Sequence, residues 1–243
     1  MKNKLLIKIL LLSLMFIGQG ALAQNPLSVK QIDPQAKAKS DTLYNQAHRA
    51  YSNKNYEKAI RLYSESYEYK PSADVINNLA ATYEKIKDYE NAIKWYKINI
   101  DRYNDRDSMF NLGVTYKHIE DYSKSMEYFQ RSFTYGVSRG GFSSALLYEE
   151  RFSDIPNAIK WYKKAIVKGN LDAYDNISLL YHDIKKDNLT ASAYYIATID
   201  KSYSKKEIID FLKNDWKIDK ATLKKAYELQ KTLVPDPYTG GID

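Results

Sequence analysis

The 243-residue chain has no cysteine, which excludes disulfides, a thiol nucleophile and any cysteine-ligated metal site. Its stability has to come from packing. Histidine is also scarce: His48, His118 and His182 are the whole complement, and none has a second histidine at metal-ligand spacing. There is no phosphate loop, nucleophile elbow or H-E-x-x-H. Gly136–Gly141 holds three glycines but lacks the lysine and hydroxyl residue of a phosphate loop, and reads as a turn. Acid pairs such as Glu149-Glu150 do not suit glycoside hydrolysis, because neighbours on a helix point apart. Nor is there a concentrated basic stripe. Charges of both signs interleave, as in Lys85, Lys87 and Asp88, which argues against nucleic acid as a partner. No catalytic residue, metal or cofactor is expected, and the chain is expected not to be an enzyme.

Long apolar runs are missing after the N-terminus, so no stable membrane span is expected once the first segment is removed. That segment, 1–23, has a basic start at Lys2, Lys4 and Lys8, an apolar run and a closing Ala21-Leu22-Ala23. This is the pattern of a secretory signal peptide cleaved before Gln24. The apolar run is shorter than the roughly 20 residues a spanning helix needs. No cysteine follows it, so lipoprotein attachment is not expected. Without this segment 34 basic residues stand against 30 acidic ones, a mild excess. The expected location is outside the cytoplasm, in a bacterial periplasm first and secreted second.

What the chain does contain is repetition. The heptapeptide NAIKWYK occurs at Asn91–Lys97 and again at Asn157–Lys163. Aligned on it, small residues recur every 33 positions at Ala59, Ala92, Ser125, Ala158 and Ala191. Four residues later stand Tyr63, Tyr96, Phe129, Tyr162 and Tyr195. Four residues earlier stand Asn55, Asp88, Asp121, Asp154 and Asp187. Asn or Asp before an apolar-periodic run is a helix cap, because its side chain accepts a backbone N–H left free in the first turn. The small residue and the aromatic at i+4 then share one face. A further small residue follows at Ser66, Ser132 and Ala165, so a partner helix can approach closely. That partner lies upstream, as in Met109, Leu112, Gly113 and Tyr116, or Ile76, Leu79, Ala80 and Tyr83. Each unit is thus two antiparallel helices.

This pattern resembles the tetratricopeptide repeat, W-x2-L-G-x2-Y followed by A-x3-F and a proline. The third unit matches best, through Met109, Leu112, Gly113, Tyr116, Ser125 and Phe129. The first closes with Pro71 but has Gln46 and Ala50 where Leu and Tyr are expected. The later units drift toward the Sel1-like subclass around Gly169 and Asn170, and Gly140, Gly141 and Pro156 hint at altered turns. The resemblance implies an all-α, right-handed α-solenoid of about five helix-turn-helix units over 40–203. Beyond it, Ser204 and Glu207 form a capping box and Asp219 caps a second helix, giving a C-terminal capping helical pair over 204–233. Segments 24–39 and 234–243 are expected as flexible tails.

The resemblance also implies a concave groove lined by the first helices. Carried over by motif position, its residues are Tyr44, Asn45, His48 and Tyr51 in unit one. Asn77, Asn78, Ala81 and Glu84 follow in unit two, then Phe110, Asn111, Val114 and Lys117 in unit three. In some relatives an Asn at the Asn45, Asn78 and Asn111 position bonds the ligand backbone. The carboxylate clamp of other relatives is not matched, since Tyr44 and His48 occupy its positions. A mixed aromatic-polar groove suits another protein or an extended peptide. The function expected is a non-enzymatic scaffold for protein–protein interaction in the bacterial envelope. The alternatives are a glycan- or peptidoglycan-binding protein, suggested by the 23 tyrosines, and an accessory subunit of an envelope enzyme or secretion assembly. Many tyrosines instead fall at packing positions: Tyr56, Tyr89 and Tyr122 after the caps, and Tyr63, Tyr96 and Tyr162 at i+4.

Overall fold

A computed structural model of the chain describes residues 33–242. The expected signal peptide, 1–23, lies outside them. The described residues form an α-helical solenoid of five helix pairs: α1 (Pro34–Ser52) with α2 (Tyr56–Tyr69), α3 (Ala73–Lys85) with α4 (Tyr89–Tyr103), α5 (Arg106–His118) with α6 (Tyr122–Thr134), α7 (Ser138–Glu150) with α8 (Ile155–Val167), and α9 (Asp172–Leu179) with α10 (Asn188–Ile196). A closing pair, α11 (Lys205–Asn214) and α12 (Lys220–Leu233), follows.

Every second helix begins at its 33-residue cap. Asn55, Asp88, Asp121, Asp154 and Asp187 accept the backbone N–H of Lys58, Asn91, Lys124, Asn157 and Thr190 at 3.0–3.2 Å. The residue before each cap has positive φ, between 52° and 62°: Lys54, Lys87, Glu120, Ser153 and Lys186. A left-handed residue there reverses the chain so that the cap can turn into the next helix. The five small anchor residues are completely buried. Tyr63, Tyr96, Phe129 and Tyr162 fill the space beside them.

The fifth unit departs from the expected pattern. Tyr194, not Tyr195, is the buried ring, packed among Ala173, Tyr174 and Ile177. Tyr195 is half-buried and turns to Phe211 and Trp216 of the closing pair. The last repeat must face both its predecessor and the closing helices, so adjacent aromatics on α10 serve one side each.

The poor fit of the later first helices has a local cause. In units one to three, each cap N–H reaches back to the carbonyl five residues earlier: Asn55 to Ala50, Asp88 to Tyr83, Asp121 to Tyr116. In units four and five it reaches six residues, Asp154 to Tyr148 and Asp187 to Tyr181. One residue is added between the helices of each later unit. Unit four places it in the turn at Arg151–Asp154, and unit five in a π-helical turn over Leu180–Ile184. The buried positions Ser108, Met109, Leu112, Gly113 and Thr115 therefore map onto Gly140, Gly141, Ser144, Ala145 and Leu147, 32 residues on.

This register corrects the glycine reading. Gly136 (φ +93°) makes the turn, but Gly140 and Gly141 lie buried inside α7. A Cβ on Gly140 would stand 2.2 Å from Ser132 Oγ and 2.4 Å from the Phe129 carbonyl oxygen. Helix α7 therefore approaches the backbone of α6 where only glycine fits. Pro156 sits in the first turn of α8, where a missing N–H costs nothing.

The described parts of both expected tails also need correction; residues 24–32 lie outside the described residues. Helix α1 starts at Pro34, capped by Asp33, because proline at the first helical position is preset for a helix. At the other end, 234–242 folds back along α12. Gln230 donates to the Tyr238 carbonyl at 2.6 Å and accepts its N–H at 3.0 Å, and Tyr227 donates to the Thr239 carbonyl. Val234 is buried against the repeat core and Ile242 packs on the closing core. Those contacts cover apolar surface that the last repeat would leave open. The Ser204–Glu207 capping box and the Asp219 cap are present as expected.

Candidate binding face

The register of the buried positions aligns the first helices. Tyr44, Asn77, Phe110, Phe142 and Asp175 occupy one row, and Asn45, Asn78, Asn111, Ser143 and Asn176 a second. Tyr51, Glu84, Lys117, Glu149 and His182 form a third. Helices α3 and α5 of adjacent units touch directly, so these rows run across neighbouring helices on one face.

Polar bonds stitch that face together. Asn78 Nδ2 donates to Tyr44 Oη at 3.0 Å and to the Asp74 carbonyl at 2.9 Å. Asn111 Nδ2 donates to Asn77 Oδ1 at 3.1 Å, and Ser108 Oγ donates to the same oxygen at 3.2 Å. The periodic asparagines thus bridge successive units. Tyr44 also meets Tyr63 edge-on at 5.7 Å, and Tyr51 meets Tyr56 at 5.6 Å. Lys117 reaches Glu150 at 3.8 Å, an exposed pair of little energetic weight. Asn45 and His48 are exposed on α1, and their side chains make no hydrogen bond among the described residues. Ala81 and Val114 are half-buried between the rows.

Two of the expected groove residues carry structural duties as well. Phe110 packs on Phe129 with ring centroids 5.3 Å apart, and the Arg139 guanidinium lies 4.3 Å over it. Arg139 is held in turn by Asp107 at 2.7 Å. Glu84 accepts from Tyr96 Oη at 3.2 Å and faces His118 Nε2 at 3.5 Å, with its side chain 18% exposed. Burial pushes the Glu84 carboxyl above its usual range, and the Tyr96 bond and His118 only partly oppose this.

The same arrangement recurs two units on. Tyr162 Oη donates to Glu149 at 2.7 Å and accepts from Asn176 at 3.1 Å. Tyr96 and Tyr162 are the tyrosines of the two NAIKWYK copies. Sequence reading treated them as core alone and missed Glu149 and Asn176. Both residues are fully buried, and their hydroxyls bond to side chains of the first helices. The available signal was the exact duplication, which holds both ring and hydroxyl to one position. Among the described residues no group of three His, Cys, Asp or Glu could hold a metal ion.

The tetratricopeptide-repeat profile matches residues 73–97 and 107–135, the heart of units two and three. A Sel1 repeat protein from Oxalobacter formigenes is 25% identical, with a TM-score of 0.53 over 78% of this chain and 83% of that one. The fold is that of a tetratricopeptide-repeat solenoid with Sel1-like character. The repeat extends well beyond the profile match, since all five units share its caps and anchors. Pseudomonas aeruginosa pilF shares the fold at 15% identity, with a TM-score of 0.59 over 83% of this chain and 94% of that one. So does c5321, a protective antigen of uropathogenic Escherichia coli with an SLR fold, at 21% identity and a TM-score of 0.56. That match covers 82% of this chain and 46% of c5321. No curated protein matches the chain. Repeats of this kind typically bind other proteins or peptides, and in this solenoid the first helices carry the sequence variation. Among the described residues no helix is long and apolar enough to cross a membrane.

Proposed function

We propose that the chain is a non-enzymatic scaffold of the bacterial cell envelope that binds an extended segment of another protein along its first-helix face, the concave side of the solenoid. The observation carrying this reading is the division of labour between the helices. Second-helix anchors repeat almost unchanged because they pack, whereas the first-helix rows vary from Tyr to Asn, Phe and Asp while staying half-exposed. Half-buried amides, hydroxyls and rings on a stiff repeat suit recognition of an extended chain, whose backbone needs donors and acceptors along its length. The basic-apolar-small pattern of 1–23 supports export, with the periplasm as the site of action.

The test is position-specific photo-crosslinking in envelope extracts. Crosslinkers at Asn45 and His48 on α1 and at Lys97 and Lys163 on second helices sample the two faces without disturbing the core. One discrete protein adduct is expected from Asn45 and His48 only. Adducts confined to Lys97 and Lys163 would overturn the reading. So would saturable sugar binding that Tyr51→Ala abolishes while no protein adduct forms.

A further inference from the structure

The Tyr44–Asn77–Phe110–Phe142 row ends at Asp175, beside a cleft between unit five and the closing pair. The cleft has a volume of about 350 Å³ and is lined by Tyr195, Tyr203, Glu207, Ile208 and Phe211. Behind this lining Trp216 meets Phe211 at 5.3 Å and Tyr195 at 5.0 Å, and Tyr195 meets Phe211 at 5.4 Å. His182 stacks on Trp216 at 3.9 Å and is held by Asp183 at 2.6 Å, so that side of the indole is already covered. The ring surface left open belongs to Tyr195, Tyr203 and Phe211.

Acidic groups surround these rings. Tyr203 Oη donates to Asp175 Oδ2 at 2.8 Å, while the buried Asp175 Oδ1 has no hydrogen-bond partner. A buried carboxylate oxygen left without a donor is costly, and such an orphan needs an explanation. Burial, and after it the nearby Asp175, Tyr203 and Asp183, push the Tyr195 hydroxyl up to about 12. Glu207 adds a carboxylate at the rim, engaged by Ser204. No lysine or arginine lines the cleft.

Aromatic faces beside carboxylates form a receptor for an organic cation. The rings attract the charge, the carboxylate supplies the acceptor, and the apolar wall takes an aliphatic stem. We propose that this cleft takes the ammonium or guanidinium side chain of a lysine or arginine in the bound partner segment. The proposal rests on the scaffold reading, because Asp175 is the last position of the row along which that segment would lie. Ile208 and Phe211 receive the methylene stem, and the head group reaches Asp175.

The experiment is a titration of the 15N-labelled chain with Nα-acetyl-lysine amide and Nα-acetyl-arginine amide, followed at the Trp216 indole N–H. Trp95 and Trp161, on second helices, are internal controls. A saturable shift of Trp216 at millimolar concentration is expected, with the controls unmoved. The neutral norleucine and citrulline analogues should bind about ten-fold more weakly, as should the chain carrying Asp175→Asn. Tyr203→Ala, at an exposed position, should also weaken binding and provides a second variant if Asp175→Asn perturbs folding. An unmoved Trp216, equal binding of the neutral analogues, or undiminished binding by both variants would sink the inference. If the titration fails while the α1 crosslinks persist, the cleft proposal alone is lost and the scaffold reading stands.

Discussion

Gly140→Ala separates two readings of one residue by the sign of its effect. In a surface turn with ordinary backbone angles, alanine would restrict the unfolded chain and stabilise by about 0.4–1 kcal/mol. Inside α7 the added methyl instead meets Ser132 Oγ at 2.2 Å and, more seriously, the Phe129 carbonyl oxygen at 2.4 Å and the Phe133 backbone nitrogen at 3.0 Å. A hydroxyl can rotate away, but a helix backbone cannot, so α6 and α7 must separate. Overpacking typically costs about 1–3 kcal/mol, and contact with backbone places this site at the upper end. Alanine regains about 1 kcal/mol of helix propensity over glycine. The net loss is about 2 kcal/mol, or a fall in Tm of about 4–8 °C for a chain of this size. Urea and thermal unfolding followed by circular dichroism measure both. Gly141→Ala is the control, because the nearest neighbours of its methyl are side chains, the half-exposed Phe133 ring at 2.7 Å, which can turn aside, and Ala165 Cβ at an ordinary 3.5 Å. A Gly140→Ala chain at least as stable as the parent would refute the helix packing described here.

Two further perturbations follow from the first-helix face. Phe110→Ala removes a ring packed between Phe129 and Arg139, so it should cost about 1–3 kcal/mol in urea unfolding, less than a fully buried phenylalanine; an unchanged midpoint would show that Phe110 serves only a ligand. Burial raises the carboxyls of Glu84 and Asp175, so their contribution to stability is fully present below their unfolded pKa values and is lost as pH rises through the higher folded ones. The caps Asp121, Asp154 and Asp219 are held low by hydrogen bonds from the side chains of Lys124, Asn157 and Thr222, and after these from the same residues' backbone N–H groups, and act in the opposite sense, losing their contribution as pH falls through the folded values. Tm should therefore fall on both sides of a mildly acidic optimum, and the double variant Glu84→Gln, Asp175→Asn should flatten only the rising-pH side. An unaltered profile would contradict the burial argument.

The second helices were legible because local chemistry determines them. A cap at Asp88 and a small residue at Ala92 with a ring at Tyr96 each state a backbone or packing need that no distant contact can change, and a 33-residue period repeats it five times. The first helices were legible only where their register holds, in units two and three. The extra residue of units four and five is invisible to a fixed period, because a turn at Arg151–Asp154 and a π-helical turn at Leu180–Ile184 absorb it equally well. Gly140 and Gly141 consequently looked like a turn, and Asp175 and His182 were never aligned with the expected groove.

The sequence by itself determined the compositional exclusions, the repeat, the caps and the anchor stripe, since these depend on residue type and spacing along one helix. Tertiary structure decided the remainder. Which aromatic of α10 faces the core, whether 234–242 hangs free or folds back, and what the first-helix asparagines bond depend on neighbours brought close by stacking. The Asp175 cleft belongs to this second class. Its rings come from α10, α11 and the connection between them, its carboxylate comes from α9, and only the packing of the closing pair on the last repeat brings them to one place.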